Sequence, residues 1–459
     1  MTDSNILNSA GWVRQQEIHS RCYHPSGDRV DFSEKEINGS IPERFERQVE
    51  QQADRIAFTD ETHTLTYQEL NIAANRIAHV LDAEPVEDEE PVIALMDEGA
   101  TRVSTFLGVL KSGKCHVGVS PELPFDRQQF MIEQSEARII LVEHQYHELG
   151  LRLAGKHLKV IDIDEETGAV TGDNPGIEIR ADQRCWMVYT SGSTGQPKGV
   201  TQTHRNILHD MRTYVEHFNI SPPDRMSTVM SLTTSGGCFG ALMALGNGAT
   251  LCRIDVQGRG VEHMASEVAR QELTIWGGVP SLFRQWMISS LPEYPHLRLV
   301  WFGGEAVHAR DFELYRNNLS PSCLFVNRLG STETCCTRMY FADHQTRISG
   351  STVPVGYPVR GQDIFLEDAE GKRVEAPGSG EVVVSSAYLS PGYWKRPDLT
   401  QSAYTSLEDE ADMRLFHTGD LGQMDADGCL TFSGRKDFQV QIRDFHPESA
   451  DLHLTPSVK

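Results

Sequence analysis

The sequence predicts an α/β fold in which helices cover parallel β-sheets, followed by a smaller β-rich subdomain. From residue 91 to about residue 355, short apolar runs such as 92–96 and 139–142 alternate with segments of helical periodicity. Such alternation is typical of parallel strands joined by helices. After residue 355, Gly- and Pro-rich segments such as 380–384 and 429–432 follow one another without helical spacing. This change favours a mainly antiparallel sheet in the last part of the chain.

Two helices are marked by their first residues. Ser40 is followed three positions later by Glu43, and Thr66 by Glu69. This is the spacing of a capping box, in which each side chain bonds the other residue's backbone amide. Apolar residues then recur every three or four positions, as on the buried face of a helix. We therefore expect helices to begin near residues 41 and 67.

The composition is that of a globular protein, and its net charge disfavours some classes of binding partner. The 459 residues are 39% hydrophobic and 23% charged, which argues against a disordered or coiled-coil chain. Acidic residues outnumber basic ones by 65 to 42, a formal net charge of −23, so non-specific binding to nucleic acid or to an anionic membrane is disfavoured. Signal-peptide, membrane-span and zinc-spacing patterns are all missing. We expect a cytoplasmic protein with reduced thiols.

A Gly/Ser/Thr-rich segment follows the apolar run at residues 185–189. It reads Tyr-Thr-Ser-Gly-Ser-Thr-Gly-Gln-Pro-Lys-Gly from Tyr189 to Gly199. Glycines let backbone N–H groups approach a phosphate, hydroxyl groups add donors, and Lys198 supplies positive charge. We interpret the segment as a polyphosphate loop rather than a flexible linker, because linkers rarely follow a buried strand directly. It is not a Walker A loop, since Pro197 precedes the lysine where that motif needs Gly.

Three further residues suit the rest of a nucleotide. Glu333 suits Mg²⁺, which takes one or two carboxylates and keeps several waters. Asp420, on a Thr-Gly turn, suits the two hydroxyl groups of a ribose, and Arg435 suits ribose or phosphate oxygens. The alternatives are a solvated loop acid, an Asp in an ordinary turn, and a surface ion pair.

The ordered series of motifs resembles adenylate-forming enzymes, most closely the adenylation domains of nonribosomal peptide synthetases. Any one string is weak evidence, whereas their order along roughly residues 40–443 is strong. The segments that carry the resemblance are 65–70 (LTYQEL), 110–113 (LKSG) with 119–121 (VSP), the loop at 189–199, 303–306 (GGEA), 327–333 (NRLGSTE), 416–420 (FHTGD) and 434–440 (GRKDFQV).

The resemblance implies the large domain of such an enzyme, with two helix-flanked, mostly parallel sheets and a small β-barrel-like subdomain. We expect a polar leader over 1–39 strapped to the surface, an adenylation core over 40–437, and a truncated tail over 438–459. Within the core, we expect α/β subdomains over 40–225 and 226–355 and the β-subdomain over 356–437. In the family, a mobile C-terminal domain swings about a hinge, here Asp437, and carries a lysine that bridges the acid and ATP. With 22 residues after Asp437, we expect this chain to lack that domain and its lysine. We therefore expect slow adenylation unless a separate chain supplies that domain.

The resemblance also implies a reaction. A substrate carboxylate attacks the α-phosphorus of ATP, with Mg²⁺, and gives an acyl-adenylate and pyrophosphate; the acyl group then passes to the phosphopantetheine thiol of a carrier protein or to coenzyme A. The implied catalytic residues are Thr190, Lys198, Glu333 (also the metal ligand) and Arg435. The implied nucleotide-binding residues are Thr190, Ser191, Gly192, Ser193, Thr194, Gly195, Lys198, Gly303, Gly304, Glu305, Asn327, Leu329, Gly330, Ser331, Thr332, Asp420 and Arg435. Leu329 stands where the family usually has an aromatic residue beside adenine.

The acid pocket departs from that of amino-acid-activating relatives, where an F-D-x-S segment supplies an Asp for the α-ammonium. The comparable stretch here, residues 232–239, holds no carboxylate. Since a buried ammonium without its counter-charge is costly, we expect an acid that lacks a free α-amine. Arg328 suits a second carboxylate or a carbonyl, the alternative being a salt bridge to a neighbouring acid. The implied pocket residues are Ser235, Gly236, Phe239, Gly277, Trp301, Gly303, Arg328, Cys336 and Thr337.

Two other functions stay open at this point. One is an acyl-CoA or aryl-CoA ligase core. The other is a non-catalytic scaffold that binds nucleotide, an alternative favoured by Leu329 and by the expected lack of the family's C-terminal lysine. His204 and the pair Cys335 and Cys336, all near the motifs, are expected to be structural. No other histidine shows the spacing of metal ligands.

Overall fold

The computed structural model describes residues 9–27, 30–168, 170–191, 197–289, 293–407 and 412–436. It confirms the predicted α/β class, with two helix-flanked sheets and one antiparallel sheet. The helices are α1 (Ala10–His19), α2 (Ile41–Gln52), α3 (Tyr67–Asp82), α4 (Ala100–Lys111), α5 (Phe125–Ser135), α6 (His147–Ala154), α7 (Ile163–Glu166), α8 (His204–Phe218), α9 (Ser235–Leu245), α10 (Val256–Arg270), α11 (Pro280–Ile288), α12 (Ala309–Asn318) and α13 (Pro397–Ala403), with 3-10 helices at Glu34–Asn38 and His144–Tyr146.

The strands fall into three sheets. They are β1 (Ile56–Thr59), β2 (Thr64–Thr66), β3 (Pro91–Leu95), β4 (Cys115–Val119), β5 (Ile139–Val142), β6 (Lys159–Asp162), β7 (Arg184–Ser191), β8 (Pro197–Thr203), β9 (Arg225–Thr228), β10 (Thr250–Arg253), β11 (Ile275–Gly278), β12 (Leu299–Phe302), β13 (Leu324–Ser331), β14 (Cys335–Ala342), β15 (Tyr357–Pro358), β16 (Asp363–Glu367), β17 (Arg373–Val374), β18 (Gly378–Ser386), β19 (Gly392–Tyr393), β20 (Tyr404–Ser406), β21 (Arg414–Met424) and β22 (Leu430–Arg435).

The nine-stranded sheet runs β15-β14-β13-β12-β11-β9-β10-β1-β2. Its six central strands are parallel, and β2, β14 and β15 add antiparallel edges. The expected boundary at 225/226 does not divide this sheet, because β1 pairs with β10, placing Phe58 opposite Leu251. A pairing between strands so distant in sequence has no local signal.

The seven-stranded sheet runs β19-β8-β7-β4-β3-β5-β6. Strands β7, β4, β3, β5 and β6 are parallel, and β8 and β19 are antiparallel additions. Strand β19 lies within the expected β-subdomain range of 356–437 but pairs with β8, placing Tyr393 opposite Val200. The third part of the chain is therefore joined to the sheet that carries the Gly/Ser/Thr-rich loop.

The antiparallel sheet runs β17-β16-β18-β21-β20, and β22 pairs with β21. It forms the curled, half-barrel subdomain that the sequence predicts. Its core packs Ile364, Val382, Phe416 and Leu430 together. The short helix α13 precedes β20, so the region is not free of helices as the Gly/Pro pattern suggested.

Both capping boxes form as predicted. At α2, Ser40 Oγ accepts a hydrogen bond from Glu43 N (3.3 Å) and Glu43 Oε2 accepts one from Ser40 N (2.9 Å). At α3, Thr66 and Glu69 make the same pair of bonds at 3.2 and 2.8 Å. A helix's first four N–H groups lack intrahelical partners, so each box fixes where its helix begins.

The N-terminal segment differs from the expected surface leader. Within α1, Ile18 is fully buried, and the Gln15 side chain exchanges two hydrogen bonds with the backbone N–H and C=O of Phe341 in β14. Arg14 pairs with Asp343 at 2.9 Å. Residues 10–19 are thus part of the packed structure rather than a polar strap over it.

The cysteines are core thiols, as expected. All nine are free, eight are buried and Cys335 is half-buried. Burial raises the pKa of Cys22 to about 11 and that of Cys336 to about 12, so both stay protonated at neutral pH and unreactive. No helix in the described ranges has both the length and the apolar character needed to cross a membrane.

Candidate active site

The Gly/Ser/Thr-rich loop joins two paired strands. Thr190 near the end of β7 lies opposite Lys198 in β8, so the two residues share a face of the hairpin. The Thr190 hydroxyl is buried and has no hydrogen-bond partner among the described residues. The intervening Gly192, Ser193, Thr194 and Gly195 lie outside the described residues, as do Asp437 and the 438–459 tail. The hairpin therefore presents an unsatisfied hydroxyl next to a lysine.

Lys198 meets two residues from distant parts of the chain, Glu333 and Tyr393. Its Nζ lies 3.1 Å from Glu333 Oε1 and donates a hydrogen bond to the Tyr393 hydroxyl at 2.8 Å. That hydroxyl donates to the same Glu333 oxygen at 3.0 Å, and Nζ lies 4.1 Å from the centre of the tyrosine ring. We call these three residues the Lys198 cluster. It unites a predicted phosphate-binding residue with the predicted metal ligand.

Tyr393 is a member that sequence reasoning missed. Burial, together with the neighbouring Glu333 carboxylate, raises the pKa of Tyr393 far above its usual range, so its hydroxyl stays neutral and bridges the two charged groups. The nearby Arg435 guanidinium opposes this rise, which places Arg435 within electrostatic range of the cluster. Strand β19 has only two residues, and no local pattern in the sequence indicates that it adds to β8.

The Glu333 turn is held from several sides. Ser331 Oγ accepts from Glu333 N at 3.2 Å, and Gln202 in β8 donates to the Thr332 carbonyl at 2.6 Å. Ser390 N donates to the Glu333 carbonyl at 2.9 Å. A Cβ at Gly330 would lie 2.1 Å from the Cys335 carbonyl oxygen, so only glycine fits there. These bonds fix the direction of the Glu333 carboxylate.

Asp420 and Arg435 face each other across β21 and β22. They are register partners, and Arg435 Nη1 lies 3.0 Å from Asp420 Oδ1. Asp420 N donates to Thr418 Oγ1 at 3.0 Å, and Gly419 adopts a φ of +72°, which favours glycine. The structure thus brings together the two residues assigned to the ribose, as an ion pair at the edge of the antiparallel sheet.

Two side chains assigned to nucleotide binding have hydrogen-bond partners within the protein. Both Glu305 carboxylate oxygens accept from Ser281 in the first turn of α11, from its N (3.0 Å) and its Oγ (2.7 Å). Asn327 Nδ2 donates to the carbonyls of Val353 and Pro354. Gly303 and Gly304 form the turn after β12, and Gly304 has a φ of +82°. The nucleotide contacts of these residues stay a prediction.

Leu329 lies between the site and the antiparallel sheet. It is half-buried and packs against the apolar core that contains Val200 and Leu430. This packing against the apolar core is sufficient to explain a leucine at this position. Its predicted place beside an adenine ring stays a prediction.

Three of the residues near the predicted acid pocket form an aromatic cluster. The ring of Tyr214 in α8 lies 4.9 Å from that of Phe239 in α9 and 6.2 Å from that of Trp301 in β12. A Cβ at Gly277 would lie 2.1 Å from the Trp301 ring, and one at Gly303 would lie 2.9 Å from Arg328 Nε. The two glycines therefore leave space for the tryptophan and the arginine.

Arg328 makes no salt bridge, its alternative role, within the described part of the chain. Its guanidinium carbon lies 4.7 Å from the centre of the Trp301 ring and 5.8 Å from that of Tyr214. Across the described residues it forms no ion pair, and its Nε is buried without a hydrogen-bond partner. The described residues therefore give that alternative no support.

Asp210 is the second residue that sequence reasoning missed. It is 3% exposed in α8, one turn before Tyr214, and its Oδ1 accepts from Cys336 N at 3.1 Å. Burial raises the pKa of Asp210 to about 7, and the positive charge of Arg328 opposes that rise. A signal was available, because Ile207, Met211 and Tyr214 recur at helical spacing and place Asp210 on the buried face.

The remaining pocket residues are less closely connected. Ser235 and Gly236 begin α9, whose N-cap is Thr234. Thr337 donates from Oγ1 to the Leu329 carbonyl at 3.1 Å. Among the described residues, no hydrogen bond or ring contact links these three to the aromatic cluster, whereas the Cys336 thiol interacts with the Tyr214 hydroxyl.

The histidines follow the expectation with one exception. His204 is fully buried, accepts from Ile41 N at 3.2 Å, and has its pKa lowered to about 3 by burial, so it is structural as expected. The exception is His144, which forms a group with Asp162 and Glu165 that the spacing of residues along the sequence did not indicate. The possible metal-ligand atoms of these three residues lie within 4.8 Å of one another. This group is at the far edge of the seven-stranded sheet.

The chain was compared with known proteins. It is 29% identical over 433 residues to tyrocidine synthase 1 of Brevibacillus parabrevis, a match that covers 91% of this chain and 39% of that protein. It is 27% identical over 430 residues to gramicidin S synthase 2 of Brevibacillus brevis, covering 92% of this chain and 10% of that protein. The chain therefore spans much less than the full length of these relatives.

A solved structure supports the fold. The nonribosomal peptide synthetase FmoA3, in its α-methyl-L-serine-AMP-bound form, superposes with a TM-score of 0.81 at 23% sequence identity. The match covers 92% of this chain and 48% of that one. The AMP-binding enzyme family matches residues 45–394. These findings confirm the resemblance that the ordered motifs indicate, and the chain belongs to the AMP-binding enzyme family.

Proposed function

We propose that the chain activates a carboxylic acid with ATP and Mg²⁺, forming an acyl-adenylate and pyrophosphate, for transfer to a carrier-protein thiol in nonribosomal peptide-type synthesis. Family membership and the synthetase relatives support this proposal. The observation that carries it is the Lys198 cluster, which gathers residues 198, 333 and 393 beside the Gly/Ser/Thr-rich loop.

The donor set fits a metal-bound triphosphate. The buried Thr190 hydroxyl lacks a partner among the described residues, Lys198 supplies a cation, and Glu333 supplies a carboxylate of the kind that Mg²⁺ takes. When bound, the metal would supply a Lewis acid that neutralises phosphate charge. Thr190 and Lys198 would hold phosphate oxygens, and Glu333 would hold the metal.

In this reaction the protein would orient the two anionic substrates and stabilise their negative charge. An oxygen of the substrate carboxylate attacks the α-phosphorus, a new P–O bond forms, and the bond to the leaving pyrophosphate breaks, so no protein nucleophile is required. Lys198 is paired with Glu333 at 3.1 Å and would exchange that partner for a phosphate oxygen. Asp420, oriented by Arg435, would hold the ribose. Orienting two anions and stabilising their charge are established sources of rate acceleration.

We further propose that the acid lacks a free α-amine. Ser235 and Gly236, at the start of α9, offer no carboxylate where amino-acid-activating relatives have one. The buried carboxyl of Asp210 already accepts a hydrogen bond from the Cys336 amide and interacts electrostatically with Arg328. It is therefore a poor partner for an ammonium group. Thermal shift with ATP·Mg²⁺ and a panel of acids tests this. Selective stabilisation by an α-amino acid, lost in Asp210→Asn, would make Asp210 the counter-charge and end this part of the proposal.

Calorimetry tests the nucleotide site directly. We expect heat of binding for ATP·Mg²⁺ and an affinity about tenfold weaker in Asp420→Asn, since a charged acceptor for two hydroxyls contributes roughly 1.5 kcal/mol. The matched control is Asp425→Asn. Asp425 is an exposed acid directly after β21, and this variant should bind ATP·Mg²⁺ as tightly as the parent does. A parent protein that shows no heat with ATP·Mg²⁺ would favour the scaffold and sink the proposal.

A further inference from the structure

The acid pocket contains a cation without a counter-ion. Arg328 forms no ion pair in the described part of the chain, and its Nε is buried without a hydrogen-bond partner. The aromatic faces of Trp301 and Tyr214, at 4.7 and 5.8 Å, give it cation–π contacts only. The Arg328 side chain as a whole is half-buried. Because a partly desolvated charge without a partner is unfavourable, this position suits an anion that the described residues do not supply.

The nearest acid does not fill that role. Asp210 acts on Arg328 electrostatically, but one of its oxygens accepts from the Cys336 amide, and no ion pair forms with the guanidinium. Burial also holds the pKa of Asp210 near 7, so this carboxyl is partly protonated at neutral pH. The charge of Arg328 is therefore only partly balanced from within the protein.

Two glycines allow Arg328 and Trp301 to pack side by side. A Cβ at Gly303 would lie 2.9 Å from Arg328 Nε, and one at Gly277 would lie 2.1 Å from the Trp301 ring. Tyr214 offers a buried hydroxyl whose neighbour is the weakly hydrogen-bonding thiol of Cys336. One end of the aromatic cluster thus offers a guanidinium and a hydroxyl together.

We propose that the acid carries a second carboxylate, which pairs with Arg328 while its apolar spacer lies against Tyr214, Phe239 and Trp301. The inference rests on the proposed function, since the other carboxylate is the one activated. A planar guanidinium fork matches a carboxylate in two parallel hydrogen bonds. A monocarboxylic acid of the same shape leaves the cation unmatched, so Arg328 is a specificity-determining residue.

Matched acids test the proposal on the full chain. Linear dicarboxylates of increasing length and the three benzenedicarboxylates are titrated with ATP·Mg²⁺ present, each against its monocarboxylate and its neutral monoamide. We expect at least one dicarboxylate to bind about tenfold or more tightly than both partners. If no dicarboxylate in either series exceeds its monocarboxylate, the inference is overturned without recourse to a variant.

Variants locate the effect. In Arg328→Gln the preference for the dicarboxylate should fall to about onefold while ATP·Mg²⁺ still binds, and Arg328→Lys should retain part of it. Arg373→Gln is the control, because Arg373 is an exposed arginine that also stacks on an aromatic ring, 4.6 Å from Phe365. A preference that persists in Arg328→Gln overturns the inference. Missing heat for ATP·Mg²⁺ in the parent would overturn the proposed function instead, and the acid titrations, repeated without nucleotide, would still decide the role of Arg328.

Discussion

The Lys198 cluster and the predicted acid pocket differ in whether their basic side chain has an acidic partner. In the cluster, Lys198 and Glu333 lie 3.1 Å apart and share the Tyr393 hydroxyl. In the pocket, Arg328 has aromatic neighbours but no ion pair among the described residues. A paired site is stable alone and must exchange partners to bind a ligand. An unpaired site penalises every ligand that lacks the matching group, and so it discriminates more sharply.

Replacing Lys198 should have the largest effect. In Lys198→Met we expect the affinity for ATP·Mg²⁺ to fall about 30- to 150-fold, or roughly 2–3 kcal/mol, because phosphates lose a charged donor and Glu333 loses its cation. AMP, with fewer phosphates, should lose less. Calorimetry with both nucleotides measures this.

The control for Lys198 is Lys395→Met. Lys395 is an exposed lysine two residues beyond Tyr393 that pairs with Glu136 at 2.9 Å, and its replacement should leave both affinities unchanged. Equal losses of ATP and AMP in Lys198→Met would show that the lysine only positions Glu333, which would weaken the contrast between the two regions.

Asp210 gives the pocket a pH dependence. Burial raises its folded-state pKa to about 7, whereas an unfolded Asp titrates near ~3.9. Between these values the folded state holds an extra proton, so this group's contribution to the free energy of unfolding falls as pH rises toward 7. Relative to the parent, Asp210→Asn should therefore become more stable by about 2.5 kcal/mol between pH 5 and pH 8.

Urea denaturation at the two pH values measures the Asp210 effect. The difference between variant and parent isolates this group from the buried histidines, such as His204, whose lowered pKa acts in the other direction. Asp425→Asn, at an exposed position, should give a constant difference. Parallel curves for Asp210→Asn and the parent would show that the carboxyl is ionised throughout.

Gly277→Ala tests the room beneath Trp301. The added Cβ would lie 2.1 Å from the indole, so we expect a loss of about 1–2 kcal/mol in the free energy of unfolding as the ring is displaced. Gly240→Ala in α9 is the matched control, since nothing lies within 4 Å of its Cβ; helix propensity should then stabilise it by about 0.5–1 kcal/mol. Equal behaviour of the two variants in urea would contradict the packing described for Trp301.

The smallest effect is expected from a single hydroxyl. Tyr393→Phe removes the bridge between Lys198 and Glu333 and should cost about 1 kcal/mol in the free energy of unfolding. Tyr404→Phe is the control, because the Tyr404 hydroxyl is also buried but bridges no pair of charged groups among the described residues. The Tyr404 and Tyr393 rings lie 6.0 Å apart. Thermal unfolding of both variants measures the difference. If they lose the same stability, the bridge contributes nothing to the cluster.

Local features of the fold were predictable from the sequence. The boxes at Ser40 and Thr66 placed the starts of α2 and α3, because a capping box acts within four residues. The apolar runs placed strands such as β3 and β5. The order of motifs placed the hairpin, the Glu333 turn and the Asp420 turn.

What the sequence could not show are contacts between distant segments. Tyr393 reaches Lys198 across 195 positions, and β1 reaches β10 to complete a sheet that the expected boundary would have split. Asp210 was overlooked because a charged residue on a buried helix face acquires meaning only when its neighbours are known. The pairing of Arg328 likewise depended on which acids lie near it, and no spacing rule encodes that.

The docking of α1 bears on how the protein is cut for study. A shortened protein could be designed to begin at the capping box of Ser40. Such a chain would lack Gln15, whose side chain makes hydrogen bonds with the backbone N–H and C=O of Phe341. It would also expose the apolar surface that Ile18 covers. Orphaned amides and bare apolar surface at a sheet margin promote association between molecules, so the shortened version should precipitate more readily than the chain that keeps its first helix.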